Sequence, residues 1–180
     1  MSGTYTYLIS SLPMLQFGAK PGFTPERFLA MCKDLIPEKD SRVLELCGKE
    51  TLLEKKIKLS TLKMWIEFEI GLRNELVKIR AGRKKIEPAK YLRSDGNSES
   101  SLYHIAMNSH RIPALLESEK FLDQERWRKL EELSFGHYFD SEALIIYCLK
   151  LNILWRWENI TRADRQGQLE RVLSASPKQT

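Results

Sequence analysis

Hydrophobic positions along the chain repeat with the period of an α-helix. The pattern is clearest from Ser60 to about Arg80, where aliphatic and aromatic side chains fall on one broad face, and Gly82 is placed to end the helix. A second long pattern runs from about Asp140 to Ile160, with its polar residues scattered around the helix. At ~1.5 Å per residue each helix would be about 30 Å long. The scattered polar residues indicate that the second helix is contacted on most of its sides.

Helix-start residues define two shorter helices in the first fifty residues. Thr24 offers a capping hydroxyl and is followed by a proline and an acid, which predicts a helix from about Pro25 to Leu35. Pro37 begins a similar second helix, and Gly48 is available as its left-handed stop.

Turn-forming residues divide the chain into two parts. Residues 86–100 contain proline, glycine, asparagine and several serines without helical periodicity, so we expect an exposed connection between an N-terminal half, about 1–85, and a C-terminal half, about 101–173. In the C-terminal half, 102–107 and 113–133 are predicted to be helical, whereas 174–180 should fray. The sequence therefore predicts one all-α domain: an antiparallel helical bundle of two halves around two long buried helices.

A weak internal repeat is compatible with this division. Residues 72–76 can be aligned with residues 150–154, which places Asn74 over Asn152. Chance could also supply so short a match, and both interpretations stay open.

Composition is that of a folded chain with a mild basic bias. Of the 180 residues, 42% are hydrophobic and 29% charged, and the formal net charge is +5. The longest nearly apolar run, Ala143 to Leu154, is shorter than the about 20 residues of a membrane-spanning helix, and residues 1–12 lack the features of a secretory signal. We expect a cytoplasmic protein that does not insert into the membrane directly.

Motifs for chemistry are not found in the sequence. Phosphate-binding glycine loops, zinc-ligand spacings and nucleophile elbows are missing, so we predict no catalytic, cofactor-binding or metal-binding residue and no small-molecule substrate. Cys32, Cys47 and Cys148 lie among apolar neighbours and are expected to be buried, inert thiols. Carboxylates that converge in space could still form a small hydrolase site between helices.

Charged residues on the first long helix are the candidates for partner contact. Glu69 and Arg73 are four positions apart inside the apolar stripe, and we expect them to pair at an interface. The basic run at the end of the helix can stabilise the negative helix terminus or contact an acidic partner. The predicted partner-binding residues are Glu69, Arg73, Arg80, Arg83, Lys84 and Lys85.

Aromatic and charged residues form motifs at 5–15, at 126–133 with 136–140, and at 147–151 with 156–157. These segments resemble an uncharacterised bacterial family whose genes are typically found in V-type ATPase operons. The motif residues are Tyr5, Tyr7, Pro13, Arg126, Trp127, His137, Phe139, Asp140, Lys150 and Trp157.

Such operons often lack a recognisable d-type subunit, the helical funnel of the central stalk that seats the rotor on the membrane ring. The resemblance therefore implies a part similar to the d-type subunit. Asn74 and Asn152 echo the asparagine-leucine signature of that funnel, although Gly71 and Leu149 stand where the signature has an acid. The chain is also much shorter than a three-repeat d-type subunit.

The leading hypothesis is a non-catalytic subunit or accessory factor of a bacterial V-type rotary ATPase, in contact with the rotor shaft and the membrane ring. It would reach the inner membrane only through that complex. The alternative is a basic, helical nucleic-acid-binding protein, which the sequence pI of about 9.1 and the basic run favour. Against this alternative, the chain shows no basic stripe with stacking aromatics and no familiar nucleic-acid-binding module.

Overall fold

The fold is entirely helical in the part of the chain that the structure describes. The computed structural model describes the backbone of residues 2–54, 59–93 and 100–175, and the side chains of residues 5–49, 51–53, 59–93 and 100–166. Within these ranges there is no strand, so the predicted all-α class is confirmed. In chain order the α-helices are α1 Ser2–Ser11, α2 Pro25–Lys33, α3 Glu38–Cys47, α4 Ser60–Lys84, α5 Ser100–Arg111, α6 Leu115–Leu133 and α7 Ser141–Ala175, with 3-10 turns at Glu50–Glu54 and Pro88–Tyr91.

The capping residue of α2 behaves as the sequence indicates. The Thr24 hydroxyl accepts the backbone N–H of Arg27 at 3.2 Å, and a proline occupies the first helical position. The predicted left-handed stop at Gly48 is wrong, because this residue has φ −91° and ψ −1°. The chain instead continues into the 3-10 turn Glu50–Glu54, which needs no reversal of handedness.

The end of α4 also differs from the prediction. The helix runs through Gly82 to Lys84, and Lys85 adopts the left-handed conformation, with φ 53° and ψ 41°. The backbone N–H of Ile86 then bonds the carbonyl of Ala81 at 3.1 Å. Together with the bond from the Lys85 N–H to the Gly82 carbonyl, this is the Schellman type of helix stop, with a lysine at the left-handed position that glycine usually takes.

Replacing Lys85 with glycine is expected to stabilise the protein by about 1 kcal/mol, because glycine carries little penalty at positive φ. The matched change Lys84→Gly removes the same charge one residue earlier, inside the helix, and should instead destabilise by about 1 kcal/mol. Urea unfolding of the two variants measures both effects. Equal effects of the two substitutions would contradict the left-handed assignment.

The first and the last helix differ from the sequence-based prediction. Helix α1 is not among the predicted elements; its Leu8 is fully buried in the core, but the rest of the helix carries only a weak apolar stripe. Helix α7 continues past its predicted end at Ile160 to Ala175. The expected frayed tail at 174–180 is helical at its first two residues, and 176–180 lie outside the described residues.

The core shows which faces are covered. One large cluster joins side chains of α1, α2, α3, α4, α6 and α7, and a smaller one joins Leu72 of α4 with Leu102 and Ala106 of α5 and Leu122 of α6. Helix α4 packs most extensively on α5, whereas α7 packs mainly on α3 and α6. The predicted arrangement of the two long helices as the side-by-side centre of a bundle is therefore not confirmed, since they touch over a short stretch only.

Among the described residues, no helix combines the length and the hydropathy that crossing a bilayer requires.

Candidate functional site

A chain of buried charges connects α4 with α6. Glu69 of α4 is only 5% exposed and accepts the Nε–H of Arg126, from α6, at 2.6 Å. The same guanidinium donates from Nη1 to Oδ1 of Asp123 at 3.0 Å. Arg73 lies with its Nε 3.6 Å from the other carboxylate oxygen of Glu69, so the pair predicted from their spacing forms. One arginine thus holds two carboxylates that lie 54 residues apart in the sequence, at positions 69 and 123.

Asp123 extends this network to α7. Its side chain is 1% exposed, and its Oδ2 accepts a hydrogen bond from Arg156 and another, of 2.8 Å, from the indole N–H of Trp157. Together with the bond from Arg126, both oxygens of the carboxylate are occupied. We call the group Glu69, Arg73, Asp123, Arg126, Arg156 and Trp157 the charge network.

Electrostatics within the charge network favour the ionised form of Arg126. Burial alone would disfavour the charge of Arg126, but the carboxylates of Glu69 and Asp123 outweigh that effect and hold its pKa above the ordinary value. The network borders a cleft of about 250 Å³. Lys49 and Asn152 also line the cleft. With its buried acids already bonded to arginines, this arrangement is suited to fixing the relative positions of three helices.

A second polar cluster joins the start of α4 to the start of α7. His137 places Nδ1 2.7 Å from Asp140 Oδ2 and Nε2 3.0 Å from Glu142 Oε2. Asp140 also caps α7, because its Oδ1 accepts the backbone N–H of Ala143 at 2.8 Å. Thr61 donates its hydroxyl hydrogen to Glu142. Since Thr61 is 2% exposed, that hydroxyl is out of reach of a substrate, and the cluster serves to dock two helix ends.

Sequence reasoning identifies only part of this second cluster. His137 and Asp140 are motif residues, whereas Thr61 and Glu142 are not. The three-residue spacing of His137 and Asp140 before a helical pattern is a usable sign of a capping position. Thr61 comes from a helix 76 residues earlier, and local spacing carries no information about it.

Other motif residues take separate structural positions. The Tyr5 hydroxyl donates to Asp40 of α3, and the Tyr147 hydroxyl donates to the carbonyl oxygen of Pro13 at 2.9 Å. These bonds fasten α1 and the segment after it to the rest of the fold. The Nζ of Lys150 lies 4.9 Å from the centre of the Trp127 ring. Tyr7 and Phe139 are instead largely exposed.

The two asparagines of the proposed repeat each face a loop. Asn74 donates to the carbonyl of Arg93 and accepts its backbone N–H, both at 2.9 Å. Asn152 lies beside Gly48, after α3, with its Nδ2 3.8 Å from the Sγ of Cys148. The repeat itself stays a hypothesis, since the bonds of the two side chains differ.

The change Asn74→Ala is expected to destabilise the protein by about 1–3 kcal/mol, because both backbone groups of Arg93 lose their buried partner. Urea unfolding measures this loss, and amide exchange at Arg93 should accelerate. Asn108 is exposed on α5, so Asn108→Ala serves as the matched control. If the two substitutions had the same effect, the two hydrogen bonds between Asn74 and the Arg93 backbone would not contribute to stability.

The predicted partner-binding residues fall in two places. Glu69 and Arg73 belong to the charge network, and Glu69 is largely withdrawn from the surface. Arg80, Arg83 and Lys84 instead line a groove of about 660 Å³ between the end of α4, α5 and the start of α6, and Lys85 is exposed next to them. A partner that touches the basic residues would therefore meet a different face from the charge network.

The three cysteines are buried, as predicted. Burial raises the pKa of the Cys32 thiol to about 12. The pKa of Cys47 is also raised well above its usual value, through its interaction with Cys148 and through burial. Among the described residues, no group of three or more histidine, cysteine, aspartate or glutamate side chains has a geometry that could hold a metal ion.

In a thiol titration with a disulfide reagent at pH 8, the native protein should react very slowly, because the reactive thiolate is disfavoured by burial. In concentrated urea all three thiols should react rapidly. A cysteine that reacts rapidly in the native state would contradict the burial described here.

Comparison with protein families gives one match. Residues 100–173 match the family described as "Protein of unknown function (DUF2764)". The match supports an uncharacterised domain family over this segment, which comprises α5, α6 and nearly all of α7. Seven of the motif residues lie in that segment, and so does Asn152: they are Arg126, Trp127, His137, Phe139, Asp140, Lys150 and Trp157. Neither the curated proteins nor the solved structures contain a match to this chain.

Proposed function

We propose that the chain is a non-catalytic subunit or accessory factor of a bacterial V-type rotary ATPase, and that it helps to couple the rotor shaft to the membrane ring in the manner of the d-type subunit. The observation that supports this most is the charge network. It joins Arg126 and Trp157, two residues of the family motif, to Glu69 on α4 through buried hydrogen bonds. Buried polar contacts of this kind set how helices are registered against each other.

A protein that couples rotation must resist twisting, and long helices held together are stiff enough to do so. Helix α4 has 25 residues and α7 has 35. At ~1.5 Å per residue these correspond to about 37 Å and about 52 Å. The charge network fixes α4 and α7 to α6, so a torque on one helix would pass to the others. The proposal assigns neither a reaction nor a substrate to this chain.

The cellular location would follow from membership of that complex. The protein would be cytoplasmic and would meet the inner membrane only through the ATPase. Its partners would be the rotor shaft and the membrane ring. Arg80, Arg83, Lys84 and Lys85 remain the candidates for that contact, whereas Glu69 is buried in the charge network with Arg73 beside it.

Copurification tests the proposal directly. The tagged chain, expressed at its native level in the native host, should retrieve V-type ATPase subunits in detergent extracts. A variant with Arg126→Ala should retrieve less, because the helices would lose their common anchor, while Arg128→Ala on the exposed side of α6 serves as control. Clean preparations without any ATPase subunit would count decisively against the proposal.

Nucleic-acid binding is the second candidate. It is favoured by one observation: Arg80, Arg83 and Lys84 line a groove together with Tyr91, an aromatic residue that is largely exposed. Binding of this kind would weaken steeply with salt, because bound counterions are released from the phosphates. No retention of the protein on a polyanion column at low salt would exclude it.

A further inference from the structure

The groove at the end of α4 combines an apolar floor with basic walls. Leu76, Ile79 and Ile112 form part of its floor and are partly buried, whereas Ile86, Tyr91 and Leu115 keep about half or more of their surface exposed. Monomeric proteins seldom leave several large apolar side chains together in water. The groove therefore has the composition of a surface that another molecule covers.

The charge of the residues that line the groove indicates what kind of molecule would bind there. Arg80, Arg83 and Lys84 follow one another at helical spacing along the groove, and His110 joins them from α5. Aspartate and glutamate are missing from the described residues that line it. Within the described ranges, no carboxylate forms an ion pair with any of the three basic residues of α4. These basic residues, which form the rim of the groove, would attract and orient an acidic partner.

The shape points to a helical segment rather than a small molecule. The groove is open to solvent, and it lies between the last turns of α4, the turn Pro88–Tyr91 and the junction of α5 and α6. Ser109 and Ser118 beneath it bond each other at 2.8 Å, so they are not free to bind a ligand. An amphipathic helix could lay aliphatic side chains on the floor and carboxylates against the rim.

The groove is also held in shape before any partner arrives. Asn74 clamps the backbone of Arg93, two residues after Tyr91, and the Ser118 hydroxyl donates to the Ser109 carbonyl at 2.9 Å. Both bonds fix elements that carry groove residues. A preformed groove loses less conformational freedom on binding.

We infer that this groove binds an acidic amphipathic helix of a partner protein. The inference rests on the proposed function in one respect only, that the partner would be an ATPase subunit.

A synthetic peptide tests the groove without the ATPase. The probe is a short, fluorescent, helix-forming peptide with leucines on one face and glutamates on the other, titrated with the full chain. Two control peptides replace the glutamates by lysines or distribute the leucines around the helix. The acidic amphipathic peptide should bind at least about tenfold more tightly than either control, and added salt should weaken it.

Protein variants assign that binding to the groove. Arg83→Glu with Lys84→Glu should weaken it about tenfold, and Leu115→Asp should weaken it to a similar degree. Leu115 is exposed at the start of α6, where an acid is tolerated, so this variant should fold. The matched pair Lys33→Glu with Lys39→Glu changes the net charge equally on α2 and α3 and should leave binding unchanged.

Photo-crosslinking in the native host identifies the partner. A benzophenone amino acid at Leu115 should crosslink to an acidic helical segment, whereas one at the equally exposed Met14 should not give that product. A product with a protein outside the ATPase would support the groove and contradict the proposed function. The groove proposal is overturned if the lysine peptide binds as well as the acidic one, if duplex DNA competes equally with the peptide, or if copurification succeeds while position 115 gives no crosslink.

Discussion

Replacing Asp123 with alanine is expected to lower the free energy of unfolding by about 3–5 kcal/mol. This carboxylate is buried at the centre of the charge network, where it accepts hydrogen bonds from Arg126, Arg156 and the Trp157 indole. Its removal leaves a positive charge in a desolvated place with one fewer counter-ion. The loss should exceed that for an ordinary surface pair several-fold, since exposed pairs contribute about 0–1 kcal/mol.

Two further variants separate charge from packing at this position. Asp123→Asn keeps an oxygen for the indole N–H of Trp157 but removes the charge, so its effect should be smaller than that of Asp123→Ala. Asp34 is exposed at the end of α2, and Asp34→Ala is expected to change stability by less than about 0.5 kcal/mol. Urea unfolding followed by tryptophan fluorescence measures all three. A loss below about 1 kcal/mol for Asp123→Ala would mean that the charge network does not hold the helices together.

Replacing Phe28 with alanine should destabilise the protein by about 3–5 kcal/mol, because the cavity left behind adds to the lost hydrophobic burial. The Phe28 side chain is completely buried, and its ring centre lies 5.2 Å from that of Tyr147 on α7. It therefore secures α2 against the longest helix of the fold.

The same chemical change on the surface provides the control for that prediction. Phe135, in the turn between α6 and α7, is 86% exposed, and Phe135→Ala should alter the unfolding free energy by less than about 0.5 kcal/mol. Thermal unfolding followed by circular dichroism compares the two. Similar melting temperatures for both variants would contradict the placement of α2 in the main core.

Local rules explain which parts of the fold could be predicted. The cap at Thr24 and the pairing of Glu69 with Arg73 depend on residues three or four positions apart, and both predictions are confirmed. The errors at Gly48 and at the end of α4 have another origin. At the end of α4 the carbonyls of Ala81 and Gly82 accept hydrogen bonds from the N–H groups of Lys85 and Ile86, so the left-handed residue is Lys85 and not the glycine.

The candidate site depends on contacts that the sequence does not encode locally. Arg126 meets Glu69 across 57 positions, and Trp157 meets Asp123 across 34. An apolar stripe predicts which face of a helix is covered, but not which helix covers it. For that reason the sequence places α4 beside α7, whereas in the fold it lies mainly against α5. The sequence does not predict the groove at the end of α4 either, although it indicates the basic residues that line it.

Ion transport by membranes of the native host tests most directly whether the chain works as part of a V-type ATPase. In a strain that lacks this chain, ATP-driven ion transport by the V-type ATPase should fall several-fold and should recover when the wild-type chain is supplied. The Asp123→Ala variant should restore transport poorly even where the protein is present in normal amounts, since the helices would no longer act as one body. Unchanged transport in the deletion strain, by an ATPase that retains all its other subunits, would contradict a role in this complex.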